Sequence, residues 1–262
     1  MSKAIYKPKG KAGEYAEWAC NLYVGCSNDC DYCYCKRGVL AHAMGGPVPK
    51  LKACFRDKQH AFEVFVKELD ENIEAIRQSS LFFTFSSDPM ILETRYLNLK
   101  CIDYAIQRDV KCQVLTKNAD FIRDEALRDI LIDRSGMYRR HLAFGFTLTG
   151  RDDMEPGASS NYQRVDAMAR IKLMGFRTFA SLEPVVDPVS TCRVLLDSEG
   201  ACDLYKVGLM SGRSLSAYNR GEVERLVAAI QSRARNAYFK KSLTDYLGLP
   251  AQEPIDIFKI EL

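Results

Sequence analysis

Histidine is scarce in this chain: only His42, His60 and His141 occur, scattered, so each is expected as an ordinary surface or core residue. No apolar run approaches the ~18 residues of a membrane-spanning helix, and the N-terminus lacks the apolar core of a signal peptide. A soluble, cytoplasmic protein with no membrane partner is therefore expected. Internal repeats are absent, as is any linker that would split the 262 residues into separate units. The net charge of +3 is too small to announce a polyanion partner by itself. Charged residues at 27% and hydrophobic residues at 47% are ordinary for a globular chain.

Cysteine, in contrast, is plentiful. Ten thiols without an export signal point to a reducing compartment, where cysteines serve metals rather than disulfides. Three of them, Cys26, Cys30 and Cys33, are spaced C-x3-C-x2-C, with Tyr32 just before the last. Each thiolate of such a loop can hold one iron of a [4Fe–4S] cube, which leaves the fourth iron open. Gly25 lets the loop bend, and Asn28 and Asp29 suit the turn between the first two ligands. A zinc knuckle and a cluster of buried free thiols are the plainer alternatives. Zinc usually wants a second ligand pair at similar spacing, and no Cys or His pair downstream supplies one.

This motif resembles the signature of the radical S-adenosylmethionine (SAM) superfamily. The resemblance implies a [4Fe–4S] cluster whose open iron is chelated by SAM, and reductive cleavage of SAM to a radical that abstracts hydrogen from substrate. It also implies an external electron donor such as flavodoxin or ferredoxin.

Strand and helix patterns alternate along the chain. Strands are expected over residues 19–24, 81–86, 112–116, 142–148, 177–182 and 204–209, with a short seventh over 237–240. Helices are expected over 34–44, 59–79, 94–108, 123–133, 159–174, 190–197 and 222–235. Alternation of this kind means an α/β fold with a parallel sheet and right-handed crossovers. With the cluster loop after the first strand, it matches the partial (β/α)6 TIM-like barrel of the superfamily. Residues 1–13, with Lys3, Lys7, Lys9 and Lys11 and no acidic residue, are expected as a basic arm, mobile or loosely docked. Residues 14–262 then form one catalytic unit, in which 237–250 close the open side of the barrel.

In barrel folds chemistry sits at the C-terminal ends of strands. Ser86, Ser87 and Asp88 follow the second strand, where the superfamily binds the SAM amino group, often through a Gly-Gly-Glu motif that is missing here. Asp88 is expected to accept from that ammonium in preference to capping a turn. Lys117 is placed to meet the SAM carboxylate. Period-two alternation puts Gly145, Thr147 and Thr149 on one side of the fourth strand, so Thr147 can face the interior. Glu183 is a candidate for the SAM ribose or for substrate, and Leu209, at the end of the sixth strand, for flanking the adenine.

The closest resemblance within the superfamily is to the spore-photoproduct-lyase-like group. It rests on Phe85–Pro89 with Glu93-Thr94-Arg95, on Thr116-Lys117-Asn118 with Ile122-Arg123-Asp124, and on Thr147-Leu148-Thr149 with Glu155-Pro156. The resemblance covers roughly residues 20–190 and implies repair or modification of a nucleic acid, by lyase-type chemistry. In the lyase a cysteine and tyrosines relay a hydrogen atom, which nominates Cys54, Tyr32 and Tyr34, although Cys54 reads more readily as a small buried thiol. Arg233, Arg235, Lys240 and Lys241 form a basic stretch compatible with such a substrate or with a solvated helix face. Radical modification of a peptide or small metabolite is the alternative enzyme reading. A non-catalytic iron–sulfur or zinc sensor is the alternative of another class, against which the polar strand ends argue. Cys20 and Cys35 lack partners for a second cluster.

Overall fold

A computed structural model of the chain describes residues 4–132 and 136–261; Lys3 of the expected arm and Asp133 of an expected helix lie outside them. β1 (Ile5–Tyr6) runs antiparallel to β2 (Trp18–Cys20), with Ile5 opposite Cys20. β3 (Tyr23–Val24) pairs with β4 (Lys50–Leu51) in a separate antiparallel ribbon, and α1 (Gly38–Met44) lies between them in sequence. Strand and helix then alternate. α2 (Lys58–Glu71) and α3 (Ile73–Arg77) precede β5 (Leu81–Phe83), and α4 (Leu92–Ile106) precedes β6 (Cys112–Thr116). α5 (Glu125–Ile132) and α6 (Met137–His141) precede β7 (Leu142–Thr147), and α7 (Asn161–Leu173) precedes β8 (Arg177–Val185). α8 (Pro188–Asp197) leads to β9 (Leu204–Leu209), α9 (Arg220–Arg233) to β10 (Ala237–Phe239), and α10 (Lys241–Leu247) follows.

The outcome is a mixed α/β fold around one eight-stranded sheet in the order β1-β2-β5-β6-β7-β8-β9-β10. Every neighbouring pair from β2 onward is parallel. Such strands are buried on both faces, which is why they read as nearly continuous apolar runs. Period two sorts their side chains. Phe83, Val114, Phe144 and Phe146 join the helices in the main core, with Phe65, Ile102, Met168 and Ile230. Phe82, Ala143, Phe179 and Leu204 face the other way and pack with Tyr15, Ala16, Ile257 and Phe258. A side chain on Gly145 would lie 2.2 Å from the Phe179 ring, so this glycine makes room for it. Burying a phenylalanine of this kind contributes about 1.5–3 kcal/mol. Among the described residues no helix is long and apolar enough to cross a membrane.

Tertiary contacts decide where several expected elements break. The strand expected over 19–24 divides at Asn21, whose side chain donates to the Tyr6 hydroxyl at 2.8 Å and accepts from Phe85 N at 2.8 Å. The helix expected over 59–79 is interrupted at Asn72, whose side chain bonds back to Glu68 O. The strand expected over 81–86 ends at Phe83, because Thr84 and Ser86 turn their hydroxyls to Ser87 O and Tyr23 O. Residues 4–13 are docked rather than mobile: Ala4 and Ile5 are buried, and their amides donate to Glu68 at 2.8 Å. Within the expected closing segment 237–250, β10 extends the sheet edge, while the inner face is covered by 255–260, whose Ile257 and Ile260 carbonyls accept from Arg177.

Candidate functional site

At the C-terminal ends of β5 to β9 lies a cavity of about 540 Å³, walled on one side by the cysteine loop and on another by residues 9–15. Cys26, Cys30 and Cys33 all line it, as do Tyr32, Tyr34, Ser86, Ser87, Asp88, Lys117, Thr147 and Glu183. Cys54 and Leu209 do not. Cys54 is exposed, so it fits neither the hydrogen-donor role nor the core thiol. Leu209 packs its side chain into the helical core, leaving Met210 as the apolar group in the cavity.

The cysteine loop is held from several sides. Gly25 has φ of +77°, and a Cβ there would come within 2.6 Å of Val48 O. Gly25 N donates to Met44 O and Cys26 N to Gly46 O, both at 3.0 Å. The Lys36 ammonium sits 2.5 Å from Asp29 Oδ1 and ties off the turn. From the far side the 154–157 segment clamps the loop: Asp31 N donates to Met154 O at 3.0 Å and Gly157 N to Asn28 O at 3.1 Å. A Cβ on Gly157 would stand only 2.0 Å from Ser27 O.

The three thiols differ in their surroundings. Burial pushes Cys26 up to about 12, although backbone N–H groups of Asn28 and Asp88 pull the other way. Burial also raises Cys30, against the nearby Lys117. Cys33 is pulled down to about 6, chiefly by a hydrogen bond from the neighbouring Cys35 thiol, which is raised correspondingly. No group of three or more His, Cys, Asp or Glu among the described residues converges as one metal ion requires. A cube asks for something else, since each of its thiolates binds a different iron. Three thiols on one loop lining a common cavity, two with cationic or N–H partners, are a donor set that fits such a group.

Asp88 requires a correction. Its Oδ1 accepts from the Thr116 hydroxyl at 2.6 Å and Met90 N at 2.9 Å. Its Oδ2 accepts from the Asn28 side chain and from Lys117 N, both at 2.7 Å. A carboxylate offers about four lone-pair sites, and all four are filled. Asp88 therefore fastens the cysteine loop to the ends of β5 and β6, and it has no acceptor left for an ammonium. Ser86 donates to Tyr23 O at 2.5 Å, whereas Ser87 Oγ and Asn28 Oδ1 are buried without a hydrogen-bond partner.

Lys117 makes no ion pair to a described residue, and its Nζ stands 5.5 Å from the Tyr32 ring centroid. Burial lowers its pKa, but Cys30 and Glu155 outweigh that and leave it raised, hence charged. Tyr32 gives its hydroxyl to Glu155, and Tyr34 gives its own to Phe85 O. Both expected relay tyrosines are thus engaged as donors within the protein. Glu183 accepts through Oε2 from Tyr15 at 3.0 Å and from Lys240, while its Oε1 is buried with no hydrogen bond and lies 3.9 Å from the Lys11 ammonium.

Three groups at the site have roles that the sequence alone did not assign. Glu155 and Arg164 form a fully buried ion pair behind Tyr32, and Arg164 also donates to Thr147 O at 2.6 Å. Tyr15 lines the cavity with its hydroxyl 2.6 Å from Ser181 Oγ. Lys240, expected on a basic surface, is wholly buried between Glu183, Glu14 and Lys11 O. Of the rest of that stretch, Arg233 pairs with Glu199 at 2.9 Å and Lys241 with Asp245 at 2.8 Å, while Arg235 is exposed. A usable signal existed in Glu155-Pro156-Gly157, where an acid and a glycine bracket a proline just beyond a strand.

No protein-family model matches the chain, and no curated protein matches it.

Proposed function

We propose that the chain is a radical SAM enzyme, with a [4Fe–4S] cluster on Cys26, Cys30 and Cys33 and SAM bound in the adjoining cavity. The observation that carries this reading is that the three thiols share one cavity with Lys117, Thr147 and Glu183, each from a different strand end. When bound, the cluster would supply the electron for reductive cleavage of SAM, chemistry that serves hydrogen-atom abstraction from substrate. The chain's own residues bind and orient. The Lys117 ammonium would hold the SAM carboxylate as a point charge, and the Thr147 hydroxyl would offer SAM a hydrogen bond. Asp88 keeps the loop and Lys117 in register, and the apolar wall of Met210 and Phe85 limits water. The sequence-ordered parallel strands support the partial (β/α)6 barrel as the architecture. A nucleic-acid substrate follows from the resemblance and has exposed Lys9 at the cavity in its support; Lys11 and Lys36 already stand against Glu183 and Asp29, and Lys240 is buried.

Anaerobic reconstitution tests the proposal: about four irons and four sulfides per chain are expected, and their loss in the Cys26→Ala, Cys30→Ala, Cys33→Ala variant. Dithionite-reduced protein should turn SAM into 5′-deoxyadenosine and methionine, and Lys117→Ala should weaken SAM binding with iron retained. Zinc uptake without iron, or a full cluster in the triple variant, would overturn it.

A further inference from the structure

Arg164 lies near the start of α7 with no exposed surface, and it is not among the residues that line the cavity. Each of its guanidinium nitrogens serves a different part of the chain. Nη2 pairs with Glu155, with Asp152 standing 3.6 Å from the same nitrogen. Nη1 donates to Thr147 O at 2.6 Å, and Nε donates to Ser159 O at 2.8 Å. All three contacts lead to the site. Glu155 accepts the Tyr32 hydroxyl, and Tyr32 packs in one cluster with Cys30 and Cys33. Ser159 N donates to Lys117 O at 3.1 Å, and Ser159 Oγ accepts from Ala119 N at 2.9 Å. Thr147 itself lines the cavity at the end of β7. On the cavity side the path closes, with Lys117 Nζ 5.5 Å from the Tyr32 ring centroid. Asp88 makes the matching connection for the other half of the loop, through the Asn28 side chain and Lys117 N.

We infer that Arg164 is a positioning residue, which holds the Cys30–Cys33 half of the cysteine loop at a fixed separation from Lys117 and Thr147. The inference rests on the radical SAM reading, in which one ligand spans the cysteine-bound cluster and the Lys117 side of the cavity. Arg164 touches no ligand itself and acts through Tyr32, Ser159 and Thr147. A guanidinium is planar and fixes the directions of its partners, whereas the point charge of an ammonium on a flexible stem does not. Two groups grip one ligand together only while their spacing is kept. The spacing is therefore measurable as a coupling: iron loading raises SAM affinity, typically by about 5–150-fold for coupled sites. Disturbing the spacing shrinks that factor and leaves SAM binding to the iron-free chain as it was.

The test measures SAM affinity by equilibrium dialysis on the full chain, iron-reconstituted and iron-free, with iron counted on the same samples. In the parent, iron should tighten SAM binding by about tenfold or more. Arg164→Lys keeps a cation opposite Glu155, but one ammonium cannot serve all three acceptors in their fixed directions. Its coupling factor should fall to near one, with iron content and iron-free SAM affinity retained. Tyr32→Phe cuts the same path at the cysteine loop while keeping the ring, and it decides the matter should Arg164→Lys not fold. It too should lose the coupling. An Arg164 that only stabilises the fold would lower the urea midpoint and leave the factor unchanged. A factor equal to the parent's in Tyr32→Phe, or in folded Arg164→Lys, overturns the inference. A parent that takes up no iron, or binds no SAM, defeats the radical SAM reading and the inference with it. A parent that couples the two, alongside variants that couple them equally, defeats the role of Arg164 alone.

Discussion

Lys206 lies on the inner face of β9 with no exposed surface, donating to Tyr15 O at 3.0 Å and standing 5.3 Å from the Tyr15 ring centroid. Burial, partly offset by Asp256, pushes its pKa from 10.5 down to about 7. The folded value is below the unfolded one, so between those limits the unfolded chain binds more protons, and stability rises with pH. A gap of that size makes the lysine cost about 4 kcal/mol at pH ~7 and about 2 kcal/mol at pH ~9. Lys206→Met removes the titration but leaves Tyr15 O without its donor, a loss of about 1–3 kcal/mol that does not vary with pH. The variant should therefore match or exceed its parent at pH ~7, and its relative stability should fall by about 2 kcal/mol by pH ~9. Urea unfolding of both chains under reductant at each pH measures this difference. Buried thiols such as Cys112, raised by burial, destabilise parent and variant alike at high pH and cancel. Parallel pH dependence in the two chains would refute the buried-ammonium reasoning.

Three further outcomes are expected. Arg164→Leu strands the buried Glu155 carboxylate and should cost about 3–5 kcal/mol in urea unfolding, most of which Glu155→Leu on the same chain restores. Asp88→Ala leaves Met90 N, Lys117 N and the Asn28 and Thr116 side chains without their acceptor. With each stranded buried donor worth about 1–3 kcal/mol, the loop should loosen, and iron per reconstituted chain should fall along with SAM affinity. Gly157→Ala forces a Cβ against Ser27 O and should lower iron retention while moving the melting temperature less than Arg164→Leu does; full iron occupancy would count against the clamp.

How much could be read without coordinates depends on the range of the interaction. The parallel strands were legible because both their faces are buried, so runs such as Leu142–Thr147 announce themselves locally. β9 ran over the same residues as its apolar pattern, Leu204–Leu209. Element breaks at Asn21 and Asn72 were not, since both residues are ordinary inside a pattern until a particular partner competes for them. The same distinction runs through the site. That Cys26, Cys30 and Cys33 share one cavity was legible from their spacing, because one short loop holds them together. Lys240 bonds Lys11 O across 229 residues, and Tyr15 meets Ser181 across 166, so no window of sequence contains either relation. Asp88 shows how a residue that lines the cavity can have its oxygens committed elsewhere. An Asp before Pro at a strand end can cap a turn or meet a ligand, and both readings use the same oxygens. Only the count of donors decides, and those donors come from residues 28, 90, 116 and 117, three of them beyond any local window. A carboxylate saturated in this way cannot exchange partners with an incoming ammonium without unfastening the cysteine loop. Lys117 is left as a charged group at this end of the cavity without an ion-pair partner among the described residues.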